Sequence, residues 1–311
     1  MPLEYATQTA CADEYPTRRQ TPEKWMERKD PVLWNDWTQS APITKGQAQS
    51  FERNGYLVLR NLFSPEEVTA LIDRANRLRE TLAGARSEEV VTEPETNAVR
   101  TIFRLDHKDP LMARLAADRR IAGTAQFLLG DDVYLHQSRL NYKPGFTGKE
   151  FYWHSDFETW HAEDGMPRMR AVSASVLLTD NRAHNGALML IPGSHKTFVS
   201  CQGETPEDNH KSSLKKQEVG TPSQATLRDM ARMYGIDDAE GPAGTVVLFD
   251  CNTLHGSNGN ITPDPRSNAF FVYNAVSNAP EAPFAADAPR PGFLAERKVP
   301  DAIKVQKGRL A

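Results

Sequence analysis

The stretch FYWHSDFETWHAEDGMP, Phe151 to Pro167, places two histidines each two residues before an acid: His154 before Asp156, and His161 before Glu163. On extended chain, residues i and i+2 point to one face, so either pair can address a single ion. The pattern alone is weak, because 8 histidines and 41 acidic residues among 311 positions give about one such match by chance. Context separates the two pairs. His154 closes Glu150–His154, a run of aromatic strand formers. His161 and Glu163 stand in His-Ala-Glu-Asp-Gly-Met-Pro, which reads as an exposed turn. The spacing therefore predicts that His154 and Asp156 are the metal-ligating pair.

A third ligand belongs at the mouth of the same sheet. Thr245–Phe249 reads as a buried strand, and CNTLHGSNGN after it places His255 just beyond the strand's end, where a returning chain comes back beside His154. Two histidines and one carboxylate leave coordination positions open, the arrangement of non-haem Fe(II) oxygenases. A zinc hydrolase uses the same donors. Arg266, heading Ser267–Tyr273, favours the oxygenase, since a guanidinium presented from the next strand can grip a carboxylate with two parallel hydrogen bonds. Taken singly, these residues have plainer readings. A histidine beside a carboxylate is commonly a structural pair, Trp160 a core residue and Arg290 a solvated charge. His195 in Pro-Gly-Ser-His reads as a turn residue satisfied by nearby backbone, and His107, His136, His184 and His210 have no partner spacing.

Working outward, strands are expected at Gly55–Leu59, Val133–Tyr142, Ala171–Thr179, Ala187–Ile191 and Asn268–Val276, a spacing that suggests a β-sandwich or barrel. Ser64-Pro65-Glu66-Glu67 carries a capping box with proline at the first helical position. A helix through about Arg79 follows, with Val68, Leu71, Ile72, Ala75 and Leu78 as its apolar stripe. Residues 1–45 are polar and proline-punctuated, with Trp25, Trp34 and Trp37, and read as an arm lying on the body. Ser200–Ser223 is polar and nearly devoid of large apolar side chains. It reads as a mobile flap beside the sheet mouth, or else as a solvated excursion.

Composition excludes several classes. A net charge of −4 and a pI of about 6.1 give no global basic field, so nucleic acid is not an expected partner. No run approaches the roughly 18 apolar residues that span a bilayer, and the N-terminus lacks an apolar signal core; a cytoplasmic protein is expected. Cys11, Cys201 and Cys251 form no C-x-x-C pair, which argues against a disulfide framework or a zinc–thiolate site.

Together with NGALMLIPGSHK, Asn185–Lys196, the residues His154-x-Asp156, His255 and Arg266 resemble the phytanoyl-CoA-dioxygenase-like group of Fe(II)/2-oxoglutarate oxygenases over about Gly55 to Tyr273. The segment WHSDFETWHAEDGMPRMRAVSAS, residues 153–175, is similar to the signature of the ectoine hydroxylases within that group. The resemblance implies a mainly β fold with flanking helices, a cupin-like double-stranded β-helix or jelly roll, forming one catalytic domain over residues 46–311 behind the arm. It implies iron ligands at His154, Asp156 and His255, 2-oxoglutarate contacts at Phe103, Asn141, Ser173, Ser257 and Arg266, and ectoine contacts at Gln137, Thr159, Trp160, Phe270 and Arg290. The implied reaction is hydroxylation of ectoine at ring position 5 with 2-oxoglutarate and O2, giving succinate and CO2 in compatible-solute biosynthesis, by a homodimer. A related hydroxylase of another small amino acid or acyl-thioester, and a non-catalytic jelly-roll binding protein, are the competing readings.

Overall fold

The computed structural model describes residues 12–92, 98–214, 217–297 and 301–310. Cys11, the first eleven residues of the arm, and Lys215 and Lys216 of the flap lie outside the described residues. In chain order the strands are β1 (Lys24–Glu27), β2 (Tyr56–Leu59), β3 (Val90–Thr92), β4 (Val99–Phe103), β5 (Val133–Lys143), β6 (Phe151–His154) and β7 (Ala171–Leu177), then β8 (Leu188–Leu190), β9 (Thr197–Ser200), β10 (Asp237–Asp238), β11 (Val246–Asp250), β12 (His255–Ser257) and β13 (Arg266–Ala275). The α-helices are α1 (Lys45–Asn54), α2 (Pro65–Thr81), α3 (Leu105–Lys108), α4 (Pro110–Ala116), α5 (Ala122–Leu129), α6 (Asp156–Thr159), α7 (Asn209–Ser213) and α8 (Gln224–Tyr234).

A large sheet in the order β2-β11-β7-β13-β5-β4-β3 faces a smaller one in the order β10-β8-β12-β6, with the pair β1-β9 to one side. All these pairings are antiparallel. This is the expected mainly β, cupin-like double-stranded β-helix with flanking helices.

The two-residue period of a strand explains the layering. Along β13, Ala269, Phe271 and Tyr273 join the core that packs under the helices, whereas Phe270 joins Leu188 and Leu190 of β8 on the opposite face, between the sheets. β11 divides the same way, with Val246 and Leu248 toward the helices and Val247 and Phe249 toward the small sheet. Every residue of β7, β11 and β13 is buried, so β11 reads as an apolar run up to Asp250, while β7 and β13 bury polar residues as well, among them Ser173, Arg266 and Asn268.

Two strands run longer than their β-branched cores suggest. β13 starts at Arg266 and β5 continues to Lys143 because these residues are partners in the ladder, and backbone pairing carries both strands to the cavity. Helix α2 begins as expected: Ser64 Oγ accepts from Glu67 N at 3.3 Å while Glu67 Oε2 accepts from Ser64 N at 2.8 Å. Its stripe packs on the sheet, with Leu71 and Ala75 fully inside. The arm carries structure that its composition hides. β1 pairs with β9 from Lys24↔Ser200 to Glu27↔Thr197, and Tyr15 enters a buried cluster with Phe157, Trp160 and Phe198.

His195 lies in a short 3-10 turn, Ser194–Lys196, and is fully buried. Its Nε2 reaches a backbone oxygen, Glu52 O at 3.2 Å, which comes from α1 and not from its own turn, and Nδ1 has no partner among the described residues. Gly55, at φ 82°, passes so close that a Cβ there would stand 2.4 Å from that nitrogen. Cys201 and Cys251 are free, buried thiols, and burial pushes both well above the ordinary thiol range. Among the described residues no helix is long and apolar enough to cross a membrane.

Replacing the cap in Ser64→Ala should cost about 1 kcal/mol of unfolding free energy, read from urea denaturation. A second expectation concerns acid. Burial pushes His195 down to about 4. As pH falls below about 6.5 the unfolded chain takes up a proton that the folded chain refuses, so stability attributable to this side chain declines until pH reaches about 4. His195→Gln should flatten the fall in unfolding free energy between pH 6.5 and 4.5; equal slopes in the two proteins would dismiss the assignment.

Candidate metal centre and active site

His154 ends β6, Ser155 stays extended at φ −106° and ψ 131°, and Asp156 opens α6. The acid therefore stands on a helix and not on the strand, yet the i, i+2 relation survives because the residue between is extended. His255 heads β12 directly opposite His154 in the antiparallel register. One donor atom from each of the three lies within 4.8 Å of the others, and all three residues are buried. His154 Nε2 is 3.6 Å and His255 Nε2 3.9 Å from Asp156 Oδ1.

Backbone carbonyls fix the rings. His154 Nδ1 donates to Tyr152 O at 2.8 Å and His255 Nδ1 to Thr253 O at 2.9 Å, which leaves the Nε2 lone pairs facing the carboxylate. Burial disfavours charge on Asp156, but His255 and His154 outweigh it and hold the carboxyl below its usual range. Burial, with His154 adding to it, pushes His255 down to about 4. At neutral pH an ionised acid thus faces a neutral His255, the forms a divalent cation binds. The donor set suits a metal that keeps open positions.

One cavity takes in every site residue expected from the sequence except Ser173. Ser173, on β7, lies behind the cluster and donates to Asp156 Oδ2 at 3.2 Å, so it holds the orientation of that carboxylate. Arg266 is buried, and its Nη1 donates to Gly186 O. Its Nε has no partner and no carboxylate pairs with it among the described residues; burial alone lowers it to about 10. A buried guanidinium left in this state fits an anionic ligand. Ser257 Oγ accepts from Lys143 Nζ at 3.0 Å, Asn141 Oδ1 accepts from Thr101 Oγ1 at 3.2 Å, and Phe103 packs edge-on against Phe293 at 5.7 Å.

On the other side stand the residues expected to meet the substrate. Gln137 Nε2 donates to Leu294 O at 2.7 Å. Thr159 ends α6, and Trp160 follows, edge-on to His136 at 5.4 Å. Arg290 is not a solvated charge: its Nε and Nη2 fork onto Asp164 at 2.8 and 2.5 Å, and Asp164 also meets His136 Nε2 at 3.1 Å. Phe270 already has the Arg139 guanidinium 4.9 Å from its ring centre.

The expectation of an exposed turn at His161 and Glu163 is overturned. Both lie buried in a π-helical turn, Trp160–Asp164. His161 stacks on Phe284 at 4.0 Å and hydrogen-bonds Met166 O and Asp13, while Glu163 pairs with Arg18. Polar composition suggested solvent, but partners more than a hundred residues away supply the burial. His136, with no partner spacing, likewise finds Asp164; His107 and His184 are exposed and His210 half-buried.

Arg139 and Lys143 escaped the sequence reading. They alternate with Gln137 and Asn141 along β5, and all four line the cavity. The period of two was the signal that could have found them. Arg139 pairs with no carboxylate among the described residues and donates to Gln137 Oε1. The flap also differs from a solvated excursion, since α7 and the segment after it bring Asn209, Leu214 and Gln217 to the cavity wall.

With this geometry in hand, a family model for phytanoyl-CoA dioxygenase (PhyH) matches residues 51–268. The chain belongs to the phytanoyl-CoA dioxygenase family. Within it, the chain is 57% identical over 298 residues to the ectoine dioxygenase of Sphingopyxis alaskensis, covering 96% of this chain and 97% of that one. Its fold superposes with a TM-score of 0.88, at 52% identity, on the crystal structure of EctD from S. alaskensis with 2-oxoglutarate and 5-hydroxyectoine, covering 96% of this chain and all of that one. The same S. alaskensis protein with bound Fe superposes with a TM-score of 0.87.

The triad makes a direct prediction. His154→Ala, Asp156→Ala and His255→Ala should each lower bound Fe(II) to near zero while the far-ultraviolet circular dichroism is retained. Metal retained in any one of them would remove that residue from the ligand set.

Proposed function

We propose that this chain is an Fe(II)/2-oxoglutarate-dependent dioxygenase that hydroxylates ectoine at ring position 5. One oxygen atom of O2 enters the ring C–H bond, the other enters succinate, and CO2 leaves. The observation that carries the reading is the opening of a three-donor cluster onto the same cavity as Arg266, a buried guanidinium with an unpaired Nε. A zinc hydrolase has no use for that arginine, and a binding module has no use for three converged ligands. The substrate reading is supported by the 57% identity to an ectoine dioxygenase.

When bound at His154, Asp156 and His255, iron supplies the activation of oxygen and the oxidation of a C–H bond, which no side chain performs. The chain's own residues bind, orient and exclude water. Arg266 takes the distal carboxylate of 2-oxoglutarate, with Ser257, Asn141 and Phe103 closing around it. Ser173 keeps Asp156 turned toward the metal. Ectoine carries a delocalised amidinium and a carboxylate on one small ring, so its site needs an aromatic face and donors. Trp160 is an aromatic wall with no protein cation over it among the described residues, a contact worth roughly 0.5–2 kcal/mol. Phe270 closes the wall with Arg139 on its ring. Gln137, Thr159 and Arg290 address the carboxylate, with Arg290 aimed by Asp164. Holding both ends of the ring fixes which carbon is presented. The reading also includes a cytoplasmic homodimer serving compatible-solute biosynthesis; light scattering checks the dimer.

Purified protein with Fe(II), 2-oxoglutarate, O2 and ectoine should give one hydroxylated product and stoichiometric succinate by mass spectrometry, with proline and an acyl-CoA run in parallel. Oxygen gained only by a parallel substrate would overturn the ectoine assignment. Because lysine is a point charge and not a two-donor fork, Arg266→Lys should raise the KM for 2-oxoglutarate about tenfold or more, with a smaller effect on ectoine.

A further inference from the structure

The arm, the substrate wall and the flap meet on two buried carboxylates. Glu158 lies on α6 and Glu163 on the π-helical turn, on either side of Thr159 and Trp160. From the arm, Arg18 reaches both with a fully buried side chain. Its Nε and Nη2 fork onto Glu158 at 3.0 and 2.8 Å, and its Nη1 meets Glu163 Oε1 at 2.6 Å. Thr17 Oγ1 donates to Glu158 at 2.8 Å. Arg18 holds this pose with φ at 53°, a conformation unusual for a residue with a side chain.

The flap uses the same groups. Arg18 Nη1 donates to Thr205 Oγ1 at 3.0 Å, and Asn209 Nδ2 donates to Glu163 Oε1 at 2.7 Å. Thr159 Oγ1 accepts from the arm, Arg18 Nη2 at 3.4 Å, and from the flap, Gln217 Nε2 at 3.2 Å. Glu163, Asn209 and Gln217 themselves line the cavity. The cosubstrate end is built differently, from Arg266, Ser257 and Asn141 on β13, β12 and β5, none of which touches this cluster.

We propose that Arg18 is a positioning residue for the substrate wall, one that fixes Thr159 and Trp160 and docks the flap across the cavity, so that the arm is part of the active site. The inference rests on the functional reading above and adds the arm to it. A residue acting in this way affects one ligand and spares the other, whereas a merely structural strut affects both or neither.

The test uses the full chain with Arg18→Gln, Arg18→Lys and Asn209→Ala, measuring KM for ectoine and for 2-oxoglutarate, succinate formed per hydroxylated product, iron content and Tm. Arg18→Gln should raise the ectoine KM about tenfold or more and loosen coupling, with iron content unchanged and the 2-oxoglutarate KM within about twofold. Arg18→Lys should fall between, since it keeps the charge and loses the fork. Asn209→Ala, which leaves the arm intact, should raise the ectoine KM about threefold. An unchanged ectoine KM in folded Arg18→Gln, or parallel changes in both KM values, overturns the proposal. If Arg18→Gln does not fold, an unchanged ectoine KM in Asn209→Ala does so. Wild-type turnover of ectoine in the same assay separates failure of this inference from failure of the functional reading.

Discussion

The site depends on one register. β6 and β12 pair so that His154 and His255 stand opposite each other, and neither could serve alone. A slip by a single residue would turn one imidazole to the other face of the small sheet and leave Asp156 beside one histidine. The register is held on both sides. On its other edge β12 pairs with β8, with His255 opposite Leu190, and Ser173 reaches across from the large sheet to the Asp156 carboxylate. Both histidines thus belong to the small sheet and Asp156 to the helix that follows it, while the large sheet contributes the hydroxyl that holds the carboxylate; the fold brings His255 to a pair that is local in the sequence.

Around that cluster the charge balance reverses that of the whole protein. The chain carries a net −4, but the cavity is lined by Arg100, Arg139, Lys143, Lys149, Arg266 and Arg290 against Asp156 and Glu163. Walls of low polarizability concentrate such a field, so an anionic cosubstrate is drawn inward although the outer surface does not favour it. The cations are unequal in readiness. Arg290 is committed to Asp164, while Arg266 faces no carboxylate among the described residues and Arg139 feels that of Asp156 without forming an ion pair with it. The positions left uncompensated are where an incoming carboxylate gains most.

What was legible in the sequence was what depends on neighbours in the chain. The His154-x-Asp156 pair needs only an extended Ser155 between its members, and the cap of α2 needs only Ser64 and Glu67 three residues apart. The buried strands announced themselves because both of their faces are covered. Arg18 was not legible, because its carboxylates lie some 140 residues away and nothing local marks an arginine that adopts a left-handed backbone to enter the core. His161 and Glu163 were misread for the same reason, since their surroundings come from Asp13, Arg18 and Phe284. Arg139 was missed for another: charged residues on a strand usually face solvent, and only the alternation with Gln137 and Asn141 places it inside.

The two described cysteines bear on how long such a catalyst lasts. A protein that brings ferrous iron and oxygen together is exposed to oxidants of its own making, and thiolates are the first side chains to suffer. Cys201 and Cys251 are buried in surroundings that keep their protons on, Cys251 only five residues past the start of β11 and four before His255. The thiol nearer the His154–Asp156–His255 cluster, that of Cys251, is therefore kept protonated and sealed from solvent, the state in which sulfur reacts most slowly with an oxidant.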